Sequence, residues 1–241
     1  AKELGIEMLV MDDGWFGVRN DDRRSLGDWY VNEEKMEGTL KDLIDFTHSK
    51  GMRFGLWFEP EMISPVSKLY EAHPDWCIHI EGRDRIEWRN QLILDMSRKE
   101  VQDYVIEAVS AVLRSANIEY VKWDMNRNFS NIGSALLPAD QQKELPHRYM
   151  LGLYRVLEKL VNDFPEVLFE SCSSGGGRFD MGMLHYMPQT WTSDNTDALC
   201  RCRIQYSTSL VFPPFAMGSH VSAVPNHQTG RITPIETRGN V

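Results

Sequence analysis

The feature that most constrains the fold is a repeated pattern. A short apolar run ends in an ionisable cluster, and a segment of helical period follows. Met8–Met11 runs into Asp12-Asp13, Arg53–Phe58 into Glu59-Pro60-Glu61, and Tyr120–Trp123 into Asp124 and Asn126. Glu166–Glu170 runs into Ser171-Cys172 and a glycine-rich stretch, and Thr190–Asp194 is a brief strand ending in acid. Between the runs lie helical patterns. Leu40–Ser49 follows a Thr39 cap, with Leu40, Leu43, Ile44 and Thr47 on one stripe. Lys99–Ala116 follows Ser97 as a cap, with Val101, Val105, Ala108, Val109 and Val112 inward, and Pro146 opens a helix to Asp163. A further helix is expected over Cys200–Leu210 and a short one over Ser67–Ala72. Gly17–Gly38 reads as a polar loop, Trp76–Ile80 as a strand-like excursion, and Gln91–Asp95 as another strand, with Arg89 just before it. Strand and helix in alternation predict an α/β chain with a mostly parallel sheet.

Ionisable residues gathered behind the strands narrow the architecture. In a (β/α)8 TIM barrel the C-terminal ends of the strands meet in one mouth. A doubly wound open sheet also binds at its strand ends, but more often carries a GxGxxG or P-loop phosphate cradle. Neither is present, and Gly175-Gly176-Gly177 lacks the Lys-Ser/Thr that completes one. A barrel is therefore expected. It is expected to be incomplete: both ends of the sequence read as the interior of something longer, and the strand count lacks the first strand and leaves the eighth at best at the extreme C-terminus.

A net charge of −9 argues against a nucleic-acid partner, which favours a basic face. No apolar run approaches a membrane span, and no leader is visible, so a cytoplasmic location is expected. The four cysteines form neither a CxxC pair nor a Cys/His ladder, which argues against structural zinc. Cys200 and Cys202 are too close for mutual bonding on a helix, and a reduced setting is the simplest reading.

On the Tyr120–Asn126 strand, alternation puts Lys122, Asp124 and Asn126 on one side. A cation, a carboxylate and an amide on one face are costly to bury without partners. Alone, the heptapeptide fits a Lys–Asp pair at a sheet rim as well as it fits a site. The whole set of strand ends decides more. Several carboxylates, a lysine, an arginine and the tryptophans Trp15, Trp57, Trp123 and Trp191 suit a sugar, whose apolar faces pack on rings while its hydroxyls take polar groups. Two placed carboxylates suffice for glycoside hydrolysis. A metal hydrolase is the rival, but there is no HExxH and the histidines are not grouped with the acids. No metal and no cofactor are expected.

Lys122-Trp123-Asp124-Met125-Asn126-Arg127 resembles the nucleophile motif of the α-galactosidases of glycoside hydrolase family 36. Met11–Trp15, Gly55–Glu61, Glu170–Arg178, Trp191–Asp197 and Pro225–Gln228 resemble that family too, in the same order and across nearly the whole chain. The resemblance implies that Asp124 is the nucleophile and Asp194 the acid/base of a retaining mechanism through a covalent galactosyl-enzyme, with the two carboxyls roughly 5–6 Å apart. It implies that Asp12 and Asp13 hold galactose hydroxyls, including the axial one that separates galactose from glucose. Trp57, Arg89, Lys122, Asn126, Cys172 and Gly175 match further sugar-binding positions. Lys122 is expected to keep Asp124 ionised. Glu59 and Glu61 are read as residues that orient neighbours, Asp197 as a brace for the loop after Asp194, and His220 and His227 as groups at the rim.

The implied substrate is a small α-galactoside of melibiose or raffinose type, and the implied assembly a homo-oligomer, such as a tetramer. Residues 1–241 would be part of the catalytic barrel, without the β domains that flank it in the family. On that reading the isolated piece does not turn over nitrophenyl α-galactoside, whereas the full chain does. Two other readings share these residues: a galactosyl transferase of the raffinose or stachyose synthase kind, and a sugar-binding protein without catalysis.

Overall fold

The structure, a computed structural model, describes residues 1–240. It forms two compact units, one over Ala1–Leu168 and one from Phe169 onward.

The first unit is built on three parallel strands: β1 (Met8–Met11), β2 (Arg53–Phe58) and β5 (Tyr120–Trp123), with β2 between the other two. All residues of β2 from Phe54 to Phe58 are buried, as a strand covered on both faces requires. β1 is the edge strand of this unit, and its Leu9 and Val10 remain 39% and 38% exposed. Met11 lies opposite Leu56 and Phe58 opposite Trp123. Asp12, Glu59 and Asp124 therefore leave the sheet at the same, C-terminal edge.

The helices follow the sequence closely. α1 (Glu33–Met36) is one turn capped by Asn32, inside the stretch expected to be loop. α2 (Leu40–Ser49) begins with a reciprocal capping box between Thr39 and Asp42 and buries Leu40, Ile44 and Thr47. α3 (Lys68–Ala72) is capped by Ser67. α4 (Lys99–Ser115) and α5 (Leu145–Asp163) bury long apolar stripes, among them Val101, Val105, Val109 and Val112 on α4 and Leu153, Val156, Leu157 and Leu160 on α5. At Gly152 a Cβ would stand 1.8 Å from the Met96 carbonyl oxygen, so only glycine lets α5 approach there.

Three expectations are corrected. The Gln91–Asp95 run is a strand only at its centre, β4 (Leu92–Ile93), and it lies outside the parallel sheet, pairing antiparallel with β3 (Met62–Ile63). Ser97 does not cap α4. The N-cap is Arg98, and the Ser97 hydroxyl donates to Asp95 at 2.6 Å instead. Trp76 closes a 3-10 turn over Pro74–Trp76, and the excursion reduces to one bridge between Cys77 and Leu94.

The second unit has its own parallel strands, β6 (Leu168–Ser171), β7 (Gln189–Trp191) and β8 (Met217–Gly218), with β7 in the middle. α6 (Met181–Tyr186) is capped by Asp180, α7 (Ala198–Ser209) by Asp197, and α8 (Ile235–Gly239) follows Pro234. Cys172, the Thr192–Asp194 turn and His220 follow the C-terminal ends of these strands. All four cysteines are free thiols.

Candidate active site

In the first unit the site is built around Asp124, the first residue past β5 and 6% exposed. Its backbone N–H donates to the Phe58 carbonyl at 2.7 Å, which ties it to the end of β2. Its Oδ2 accepts from the Trp57 indole at 3.1 Å and from the Asn126 amide at 2.7 Å, and its Oδ1 accepts from the Met125 N–H at 2.9 Å. A carboxylate held by donors at both oxygens is fixed in direction.

Trp57 is held in turn. Trp15 Nε1 donates to the Trp57 carbonyl at 2.8 Å, and the Phe16 ring stacks on the Trp57 indole at 6.1 Å. Asn126 is held by Glu59, whose Oε1 accepts the Asn126 N–H at 2.5 Å. Glu59 is 1% exposed. Burial, and after it the nearby charge of Asp124, push its carboxyl up to about 8. Glu61 is fully buried and accepts from Trp123 Nε1 at 2.8 Å and from the Tyr149 hydroxyl at 2.6 Å. Both glutamates orient neighbours, and Trp123 points into the packed layer toward α5.

Lys122 makes an ion pair with Asp12, Nζ to Oδ2 at 3.3 Å. Its charge thus faces the acid pair behind β1, while the Asp124 carboxylate takes the neutral donors named above. Asp12 is 66% exposed and open to a ligand. Asp13 is gripped by Arg19, Nε to Oδ1 at 3.0 Å and Nη2 to Oδ2 at 2.8 Å, a two-pronged contact that sets the plane of the carboxylate. Arg19 is buried and also donates to the Arg24 carbonyl. Its role was not read from the sequence, where it sits in a polar loop; the only signal was an arginine six residues past an acid. Arg89 is exposed, at φ +53°, and its positive charge acts on Glu59.

In the second unit Asp194 is exposed at the end of β7. Its Oδ1 accepts from Trp191 Nε1 at 3.0 Å, and its backbone carbonyl accepts from Gln228 Nε2 at 3.0 Å. Arg201, buried on α7, donates to the Ser193 and Gly218 carbonyls and lies over the Trp191 ring. His220 packs on Trp191 at 4.9 Å, and burial and the Arg201 charge push its imidazole below the ordinary value. Asp197 caps α7 and binds Thr229 and Arg231, so it braces the loop as expected. Cys172 is buried directly after β6. Gly175 has φ +89°, and a Cβ there would stand 2.7 Å from Ser193 Cα and 3.0 Å from the Asp194 nitrogen. The glycine-rich turn thus lies against the Asp194 backbone.

Among the described residues no group of three or more His, Cys, Asp or Glu side chains could hold a metal ion. No helix among them is long and apolar enough to cross a membrane.

Parallel strands that alternate with helices and release acids at their C-terminal ends define an α/β protein that builds its site from strand ends. The comparisons with known proteins make this specific. Residues 1–241 match the family model described as Melibiase, and the chain belongs to that family. It is 63% identical over 241 residues to alpha-galactosidase AgaA of Geobacillus stearothermophilus, covering 100% of this chain and 33% of that protein. It is 56% identical over 241 residues to alpha-galactosidase Mel36A of Lactobacillus acidophilus, again covering 100% and 33%. The crystal structure of the Geobacillus enzyme, a GH36 alpha-galactosidase, superposes with a TM-score of 0.97 over 98% of this chain and 33% of that one. A crystal structure of a variant of that enzyme in complex with raffinose matches at the same TM-score. The resemblance to family 36 read from the motifs therefore holds. The chain spans about a third of the length of the curated relatives it matches.

Proposed function

We propose that the full-length protein is a retaining α-galactosidase that hydrolyses terminal α-galactosyl residues of melibiose- or raffinose-type oligosaccharides. The observation that carries this reading is the Asp124 carboxylate, buried at a strand end and aimed by Trp57, Asn126 and the Met125 N–H, in a chain 63% identical to a named α-galactosidase.

Asp124 attacks the anomeric carbon as Asp194 gives its proton to the leaving glycosidic oxygen. Asp194 then takes a proton from water, and the water oxygen displaces Asp124 to release galactose. Asp12, with its Lys122 partner, and Asp13, held by Arg19, bind galactose hydroxyls. The axial hydroxyl is selected because a sugar lacking it leaves a carboxylate unpaired. Trp57, Arg89, Asn126, Cys172 and the Gly175 turn complete the sugar pocket. The strands belong to a (β/α)8 barrel, and the exposed Leu9 and Val10 on edge strand β1 support a further strand beside it in the full-length protein.

The test is turnover of nitrophenyl α-galactoside and raffinose by the full-length protein, with product anomers followed by NMR. Release of α-galactose first supports the retaining route. Asp124→Ala should abolish turnover and leave galactose binding, and unchanged activity in that variant refutes the assignment. With sucrose present, a galactosylated product in place of free galactose marks a transferase.

A further inference from the structure

Glu59 is a buried acid beside Asp124 that the proposed chemistry does not use. It sits directly past β2, 1% exposed, and none of the ion pairs among the described residues includes it. A buried carboxylate without an ion pair is costly, and a second negative charge beside Asp124 adds repulsion. Burial and the charge of Asp124 push its carboxyl up, and they outweigh the donors on Glu59 and the Arg89 charge, which pull it down. Oε1 accepts the Asn126 N–H at 2.5 Å, which leaves Oε2 for a proton. Oε2 lies 3.3 Å from Gln91 Nε2, and the other end of that amide, Gln91 Oε1, is buried without a partner. Turned over by half a rotation, the Gln91 amide presents this oxygen to Glu59 and accepts its proton, and its nitrogen takes the place of the partnerless oxygen.

We propose that Glu59 is a positioning residue for the reaction at Asp124, acting through Asn126 as an uncharged acid. The inference rests on Asp124 being the nucleophile of the proposed function. Glu59 fixes the Asn126 backbone, and the Asn126 side chain, thus placed, clamps Asp124 Oδ2 at 2.7 Å. The clamp gains rigidity without a second charge near the nucleophile. The carboxyl's upward shift agrees with this, since a group with pKa about 8 keeps its proton at neutral pH.

Glutamine reproduces the neutral acid atom for atom: its oxygen can accept from Asn126 N–H while its amide donates to Gln91. In the full-length protein, Glu59→Ala should lower kcat on nitrophenyl α-galactoside by about 100-fold with KM within about threefold. Glu59→Gln should stay within about threefold of the parent in both. An infrared carboxylic-acid carbonyl band at neutral pH should be present in the parent and absent from Glu59→Gln. The proposal is overturned if glutamine is as slow as alanine, if alanine keeps the parent rate, or if no band is lost. Where Glu59→Ala does not fold, the glutamine rates and the infrared band decide. A parent that hydrolyses no α-galactoside strikes the functional reading instead, and the infrared band then decides whether Glu59 is protonated.

Discussion

Asn126 Nδ2 donates to Asp124 Oδ2 at 2.7 Å, across two residues of chain that leave β5 together. In the proposed reaction the amide cannot deliver a proton, so its part there is to aim the carboxylate. Asn126→Ala removes the donor while Trp57 and Met125 keep theirs. A loss in kcat of about 100-fold is expected, comparable to removing one aimed donor elsewhere, with a smaller change in KM. Steady-state kinetics on nitrophenyl α-galactoside check it, and an unchanged kcat would mean that Asp124 is aimed without the amide.

Glu61 carries a structural consequence. It joins β5 to α5 by accepting from Trp123 at 2.8 Å and Tyr149 at 2.6 Å, all three side chains being buried. Glu61→Ala leaves an indole N–H and a phenol O–H in the packed layer without that acceptor. Each such lost acceptor costs about 1–3 kcal/mol, so a destabilisation of roughly 2–6 kcal/mol is expected. Tyr149→Phe removes one bond without orphaning a donor on that ring and should cost less. Denaturant unfolding of both variants gives the ordering, and equal losses would show that Glu61 does not hold both partners.

The legibility of the chain followed local chemistry. β1, β2 and β5 could be read because β-forming runs end abruptly in acids, and α2 because Thr39 and Asp42 are spaced for a capping box. The pair β3 and β4 could not, because two-residue strands have no period to detect, and Gln91–Asp95 looks like any barrel strand. The Ser97 cap failed because Asp95 competes for its hydroxyl. Within the site, Asp124 and Trp57 were evident as types at strand ends, and the hydrogen bond between them was not read from the sequence. The grip of Arg19 on Asp13 and the direction of Lys122 toward Asp12 depend on how loops fold back over the strand ends, and no spacing encodes that.

Gly175 offers a test on the Asp194 side. Its φ of +89° lies where side chains are strained, and a Cβ would press on backbone atoms at 2.7 and 3.0 Å, which cannot swing away as a side chain could. Gly175→Ala must therefore move the Ser193–Asp194 backbone or strain its own turn. If Asp194 is the acid/base of the proposed function, a kcat loss of about 100-fold is expected from displacing it by as little as an ångström. Gly230, also at positive φ but with open space around its Cβ position, is the matched control. Gly230→Ala should lose stability through its φ but keep kcat, and equal kcat losses at the two glycines would remove the link to Asp194.

The raised carboxyl of Glu59 makes stability depend on pH in a direction opposite to that of most acids. In the folded protein the group keeps its proton up to about 8, raised by burial and by the charge of Asp124 from the ordinary 4.5. The unfolded chain releases that proton near the ordinary value. Between the two the folded state binds more protons than the unfolded one, so stability falls as pH rises. The contribution of Glu59 is whole below the lower value, declines through the window, and is spent above the upper one. Glutamine at this position has no proton to lose. Thermal midpoints of the full-length protein and of Glu59→Gln, compared across roughly pH 5 to 8, should therefore converge or cross as pH rises, with the variant gaining on the parent at each step. Reading the difference between the two proteins cancels the titrations they share. A difference that stays constant with pH would mean that Glu59 is already ionised in the folded protein, and the neutral clamp on Asn126 would fall with it.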